Sequence, residues 1–229
     1  MKVVVYTGTR NLYHAMTASY NSHLQHSDVD KIYLLIEDDE FPFVLPDKVE
    51  TINVAELRKE MFPDGGPNIR TQFTPICLMR AAYTKVLPED IDVVLQMDVD
   101  TIVQDDLHEI WETDLTGKWF AACPEYEGMF KPYGPTYYNV GVALFNLKQI
   151  RQDKADDKVI ELLNTRWVPY IDQDAWNCIG MDMATTLPVR CNDSFCCGHV
   201  ENPAVVHYAG ILDWQGKDLV MKYKDKIAD

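Results

Sequence analysis

Hydrophobic and polar positions follow two periods along this chain, and the points where the period changes mark its elements. Residues 2–6 are β-branched and apolar and predict a buried first strand. A turn-rich stretch, 7–11, follows, and Tyr13, Met16, Tyr20 and Leu24 then recur at helical spacing. Further strands are predicted over 31–37 and 49–54. The breaker cluster at 63–68, P-D-G-G-P-N, reads equally as a mobile loop beside a site or as a long connection. Thr74 followed by Pro75 predicts a helix start. That helix is expected to run through Ile76, Met79, Tyr83, Val86 and Leu87 and to end before Pro88. Arg80 lies on or beside its apolar stripe, where a guanidinium needs an anion: a ligand, or one of the chain's many acids.

The run V-V-L-Q-M over 93–97 has the pattern of a strand buried on both faces, and it leads straight into Asp98, Val99 and Asp100. Such a strand tolerates acids only at its end, so Asp98 and Asp100 are expected at the carboxyl end of a central parallel strand, where open α/β sheets bind ligands. Residues two apart in extended chain point the same way. Two carboxylates on one side of a crevice repel unless a cation lies between them, and hard ions such as Mg²⁺ or Mn²⁺ take oxygen ligands and bridge to phosphates. The same D-x-D also suits a solvated turn in an acidic protein.

Downstream, Asp105 and Asp106 can cap a short helix through Leu107, Ile110 and Trp111. Strands are predicted over 119–123 and 137–146, with a loop rich in Gly, Pro and aromatics over 125–136. Gly141 lies inside the second of these strands, a position that often marks close approach of a ligand or another backbone. Val159, Leu162, Leu163 and Trp167 form a helix stripe. Asp172, Gln173 and Asp174 open the next helix, and a helix N-terminus alone is enough to favour acids there. A short strand over 204–207 ends in His207. Strand and helix alternate through the first hundred residues and mix afterwards. This predicts an α/β fold with a Rossmann-like central sheet, flanking helices and an antiparallel or irregular second half.

Composition narrows the function. The 229 residues carry 36 acids and 21 bases, a net charge of −15, which argues against a nucleic-acid or anionic-membrane binder. No stretch approaches the roughly 20 apolar residues of a membrane span, and the N-terminal apolar run is too short for a secretory signal. A cytoplasmic protein with reduced thiols is therefore expected. Cys191, Cys196, Cys197 and His199 lack a C-x-x-C pair and read as free thiols in an irregular loop rather than as structural zinc.

Four segments in order, V-L-Q-M-D-V-D at 94–100, Y-N-V-G at 138–141, D-Q-D-x-x-N at 172–177 and H-x-x-G at 207–210, resemble the motifs of glycosyltransferase family 8, the family of bacterial lipopolysaccharide hexosyltransferases and glycogenin. The resemblance implies a single GT-A domain over 1–229, with a nucleotide-binding part at about 1–103 and an acceptor and catalytic part at about 104–229. It implies retaining transfer of a hexose from a UDP-sugar, UDP-glucose or UDP-galactose first, to a carbohydrate or other hydroxyl acceptor, with Mn²⁺ or Mg²⁺ as cofactor. Asp98, Asp100 and His207 inherit the metal. Thr7, Thr9, Asn11, Tyr13, Arg80, Val99, Gly141 and Gly210 inherit the donor, as does Asp98. Asn139, Asp172, Gln173 and Asp174 inherit the sugar and the catalytic face. The chain departs from the family in three places. Its first loop has no acid. Asp213 stands where the family has lysine, for which Lys217 is the candidate substitute, and the proline before Trp214 is missing. These departures leave open a binding protein of the same fold that has lost catalysis. A sugar-nucleotide hydrolase or a nucleotidyltransferase on a similar sheet is the other alternative.

Overall fold

The computed structural model describes residues 1–126, 133–134 and 136–224. Most of the loop expected over 125–136 lies outside the described residues, as does the end of 216–229, which the sequence offers as a last helix candidate. In chain order the elements are β1 (Val3–Thr7), α1 (Tyr13–His26), β2 (Lys31–Ile36), β3 (Val49–Asn53), α2 (Ala55–Met61), α3 (Tyr83–Val86), β4 (Val93–Met97), β5 (Thr101–Val103) and α4 (His108–Trp111). They continue with β6 (Phe120–Pro124), β7 (Tyr138–Asn146), α5 (Leu147–Asp153), α6 (Ala155–Thr165), α7 (Ile171–Gly180), β8 (Ala184–Thr186), β9 (Val205–His207) and α8 (Asp218–Lys224).

Seven strands form one sheet in the order β3-β2-β1-β4-β7-β6-β8, and β5 pairs with β9 in a small second sheet. β7 is antiparallel to both its neighbours, and every other pairing in the large sheet is parallel. The sheet is thus mixed, with β4 at its centre, as the change in pattern after the first hundred residues predicts. Its central strands, β1, β4, β7 and β6, are buried on both faces because helices cover both. Val3 and Val5 of β1 face one core with Val159 and Leu163 of α6 and Trp176 of α7. Val4 and Tyr6 face the other, with Tyr13, Met16 and Tyr20 of α1.

One expectation needs correction. The helix expected from Thr74 to Leu87 is instead a 3-10 segment over Pro75–Ala81 followed by the short α3, and the Thr74 hydroxyl caps nothing. Ile76, Cys77, Leu78, Met79 and Ala81 are all buried, so this segment is apolar nearly all round and is wrapped by the core instead of laying one stripe on it. Of its two readings, the 63–68 cluster takes that of a connection, and it is pinned. Arg58 binds Asp64 at 2.9 Å and Glu37 at 3.0 Å. Buried Asn68 donates to Leu163 O at 2.7 Å and Arg166 O at 2.8 Å. It also accepts from Val168 N at 3.0 Å.

Candidate active site

β4 ends at Met97, so Asp98 and Asp100 lie in a turn and do not share one side of a pleated strand as the sequence suggested. The Asp98 amide donates to Gly141 O of β7 at 2.7 Å. The Asp98 carbonyl then accepts from Thr101 N at 3.2 Å and from Thr101 Oγ1 at 2.6 Å, which folds the acids back on themselves. β5 begins at once and pairs Thr101 with His207 of β9. That pairing carries a histidine from over a hundred residues away onto the turn. His207 Nε2 lies 3.4 Å from Asp100 Oδ1 and 3.8 Å from Asp98 Oδ2. Among the described residues this is the only group of three such side chains close enough to hold a metal ion, with donor atoms within 4.8 Å of one another. Gly141 forms its floor: a Cβ there would lie 2.3 Å from His207 Cε1 and 2.9 Å from Asp98 Oδ2. The glycine's place in the strand is thus explained by close approach.

The electrostatics suit a cation. Burial raises the Asp98 carboxyl above its ordinary value against the pull of Arg80, and Asp100 adds to the rise. Burial alone would lower the His207 pKa, but Asp100 and Asp98 outweigh it and raise it to about 9. Two carboxylates and an imidazole form a mixed oxygen and nitrogen donor set that fits Mn²⁺, and Mg²⁺ through its oxygens.

Arg80 joins this cluster to the start of α7. Its Nη2 is 2.8 Å from Asp98 Oδ1 and its Nη1 is 3.8 Å from Asp172 Oδ2. Arg80 Nε and Asp172 Oδ2 are both buried with no hydrogen-bond partner. Orphaned buried polar atoms of this kind are what a polar ligand satisfies. Burial raises the Asp172 carboxyl to about 7 despite Arg80. The backbone just before it is strained: Ile171, a β-branched residue, has φ +34°. Strain of that order is retained where the surrounding structure imposes it, typically at functional positions.

The neighbours of Asp172 divide into two kinds. Asp174 is fully buried, and both its oxygens are engaged, by Tyr137 OH at 2.6 Å and Tyr170 N at 2.7 Å. The second contact returns to the residue before the helix and is the helix-terminal use of an acid anticipated from sequence. Gln173 is half-buried, accepts from Val140 N at 3.2 Å and donates to Glu125 Oε1 at 3.1 Å. Asn139 donates to the same Glu125 oxygen at 3.3 Å. Glu125, 6% exposed, was missed from sequence, where it sits at the edge of a loop with nothing nearby to single it out.

The first loop lies at the carboxyl end of β1, next to β4. Thr7 is buried at the strand's end. The Thr9 hydroxyl donates to Asn11 Oδ1 at 2.6 Å. Tyr13 is 1% exposed, packs its ring on Phe41 with centroids 4.7 Å apart and donates its hydroxyl to Asp38 Oδ2 at 2.7 Å. Asp38, just past β2, also binds Arg10 at 2.8 Å. The loop that lacks its own acid therefore receives one from the neighbouring strand end. The signal was legible as the acidic run 37–40 at the carboxyl end of a parallel strand. Val99 is buried, and a Cβ on Gly8 would lie 3.4 Å from it, so the first loop and the D-x-D turn touch. Gly210 has φ +75°, a conformation that favours glycine. Lys217 is not brought to the acids: its ion pair, at 3.2 Å, is with Asp213. The late cysteines also disperse. Cys191 lies in a core cluster, Cys197 Sγ lies 3.9 Å from Cys123 O, and His199 binds Asp193 at 2.9 Å.

A mixed α/β sheet whose central strand ends in a paired-carboxylate turn defines a glycosyltransferase fold of the GT-A class. The galactosyltransferase LgtC, solved in complex with donor and acceptor sugar analogs, superposes with a TM-score of 0.77 at 19% identity, covering 99% of this chain and 96% of that one. Apo mouse xyloside xylosyltransferase 1 superposes at 0.69 and 16% identity, over 91% of this chain and 98% of that one. The apo bifunctional glycosyltransferase WbbM does so at 0.73 and 17%, over 99% and 50%. These likenesses speak for the fold. By its sequence the chain belongs to glycosyl transferase family 8, whose model matches residues 4–213. No curated protein matches it. Among the described residues no helix is long and apolar enough to cross a membrane.

Proposed function

We propose that this protein transfers a hexose from a UDP-sugar to a hydroxyl acceptor, with retention at the anomeric carbon and with Mn²⁺ or Mg²⁺ bound by Asp98, Asp100 and His207. In this reading residues 1–229 act as one catalytic unit. The observation that carries it is the convergence of Asp98, Asp100 and His207 on one point, with Arg80 bridging to Asp172. A bound cation would neutralise charge on the diphosphate as it departs. Arg80, held by Asp98, would reorient its unpartnered Nε toward the same group. Asp172 and Gln173 would line the face where positive charge develops on the sugar ring, and carboxylate and amide oxygens favour that charge. Asn139 would act with them through Glu125, while Asp174 would hold the start of α7. Thr9, Asn11, Tyr13 and Gly8 would border the nucleoside, with Thr7 and Val99 shaping the floor.

Calorimetry of UDP binding with Mn²⁺ and with EDTA tests the donor and the metal together, and equal affinity in the two conditions refutes the clamp. Proton NMR of the first-formed sugar product tests retention. One observation favours a second reading, a donor-binding protein without turnover: Lys217 is engaged by Asp213 and not by the acid cluster. Release of UDP from UDP-glucose or UDP-galactose in the presence of an acceptor pool separates the two readings.

A further inference from the structure

The segment 189–193 runs beside β9 and delivers one side chain to the metal cluster that neither motif nor family resemblance singled out. Asn192 ends a 3-10 turn, Val189–Asn192, and is completely buried. The turn is held in place by Asp193 N donating to Val205 O at 2.9 Å and by His207 N donating to Asp193 O at 2.8 Å. The Asn192 side chain lies between two partners: its Nδ2 is 2.9 Å from Asn139 Oδ1, and its Oδ1 is 2.8 Å from His207 Nδ1.

The direction of this relay follows from one unambiguous donor. The backbone N–H of Gly141 can only donate, and it lies 3.1 Å from the Asn139 side chain, which must therefore present its oxygen there. The other end of that amide then presents its NH₂ to the Glu125 carboxylate, an acceptor, as found. Since Asn139 Oδ1 also meets Asn192, Asn192 must offer its own NH₂ to it. Its carbonyl oxygen is left for His207, so His207 Nδ1 carries a hydrogen and donates. The imidazole then turns Nε2 toward Asp98 and Asp100. A metal-ligating histidine is normally fixed by just such a bond from its other nitrogen, and losing that partner typically costs about 10- to 100-fold in metal affinity.

We infer that Asn192 is a positioning residue for the divalent cation: it sets the ring orientation and hydrogen placement of His207 and thereby the affinity and selectivity of the Asp98, Asp100 and His207 site. The inference rests on the metal reading above. It adds that the metal ligand and the sugar-side residues Asn139 and Glu125 belong to one continuous hydrogen-bonded chain.

The test is Mn²⁺ binding alone, measured as free Mn²⁺ by electron paramagnetic resonance, on wild type, Asn192→Ala, Asn192→Asp, His207→Ala and the Asn192→Ala/His207→Ala double variant. Asn192→Ala should weaken Mn²⁺ binding by about 10-fold or more. It should weaken Mg²⁺ binding less, in competition, because imidazole contributes more to Mn²⁺. Asn192→Asp keeps the shape and the acceptor at His207 Nδ1 while giving up the NH₂ that Asn139 Oδ1 accepts, and should hold Mn²⁺ within a few-fold of wild type because the bond to His207 is the one that orients the ligand. The double variant should bind no more weakly than His207→Ala, since a residue acting only through His207 has nothing left to orient. Wild-type affinity in Asn192→Ala, or a further loss on top of His207→Ala, overturns the inference while leaving the metal reading intact. Should the alanine variant not fold, Asn192→Asp decides by itself, and a tenfold loss there also overturns it. A wild type that binds no Mn²⁺ overturns the metal reading and the inference together.

Discussion

Asp172 makes the protein less stable than it need be, by an amount the structure allows to be worked out. The carboxyl is 2% exposed, its Oδ2 has no hydrogen-bond partner, and Arg80 at 3.8 Å only partly offsets the cost of burying its charge. Burial therefore pushes it from its ordinary value of 3.8 up to about 7. The folded state holds this proton more tightly than the unfolded chain does. Its stabilising effect is fully present below pH ~4 and is lost as pH rises through about 7. At ~1.4 kcal/mol per pH unit, the full effect is about 4 kcal/mol, of which roughly 2 to 3 kcal/mol falls between pH 5 and pH 8. Asn is the same shape and never ionises. Asp172→Asn should therefore escape this loss and gain on wild type as pH rises. The gain should amount to roughly 5–10 °C in midpoint for a chain of this size, even though the substitution removes a residue proposed to face the sugar. The assay is thermal unfolding by circular dichroism in EDTA at pH 5 and pH 8, with urea unfolding at both. Midpoints of the two proteins that shift in parallel with pH would refute the argument, because a buried carboxylate whose charge Arg80 only partly offsets cannot be neutral to pH across that range.

The other predictions concern the site itself. Gly141→Ala should drive His207 and Asp98 apart, since the new methyl would overlap both, and should weaken Mn²⁺ binding by at least about tenfold in calorimetry, with ~1–3 kcal/mol of destabilisation in urea. Gln173→Ala should lower kcat more than it raises KM if, as proposed, Gln173 lines the face where charge develops on the sugar; steady-state kinetics with donor varied will show this, and an unchanged kcat would leave Gln173 with only its bonds to Val140 N and Glu125. Lys217→Ala should weaken UDP binding by about tenfold but leave uridine binding nearly unchanged if the lysine leaves Asp213 for the diphosphate, and calorimetry with the two ligands reads the difference.

Much of the architecture was legible before any coordinates. The strands expected over 2–6, 31–37, 49–54, 137–146 and 204–207 begin and end within one residue of β1, β2, β3, β7 and β9. β1 and β7 are apolar runs buried on both faces, which leaves no ambiguity about what such a run does, and the edge strand β3, V-E-T-I-N with Glu50 and Asn53 exposed, was carried by its β-branched residues. The acids Asp98 and Asp100 stood out for the same reason, as charges at the end of a strand that could not otherwise hold them. The Tyr13 helix was carried by its own 3.6-residue period.

Tertiary structure decided everything whose partners are distant in the chain. β5 and β8 are three residues long, too short to show a period, and exist because β9 and β6 offer them hydrogen bonds. The 3-10 segment at Pro75–Ala81 reads as a helix in isolation and is reshaped by being enclosed on all sides. The convergence of Asp98 and Asp100 comes from the turn and its bonds to Thr101, not from the pleat that local reasoning invoked. Asp38 is marked only as one acid of the run 37–40, and Glu125 and Asn192 carry no local mark, since an acid at a loop edge or an asparagine in a loop is ordinary sequence. They acquire roles only because the sheet order places β2 beside β1, β6 beside β7, and the 189–193 segment beside β9. Local periodicity reports burial, which depends on a residue's immediate neighbours. A site is a meeting of side chains from distant segments, and only the packing of those segments determines which ones meet.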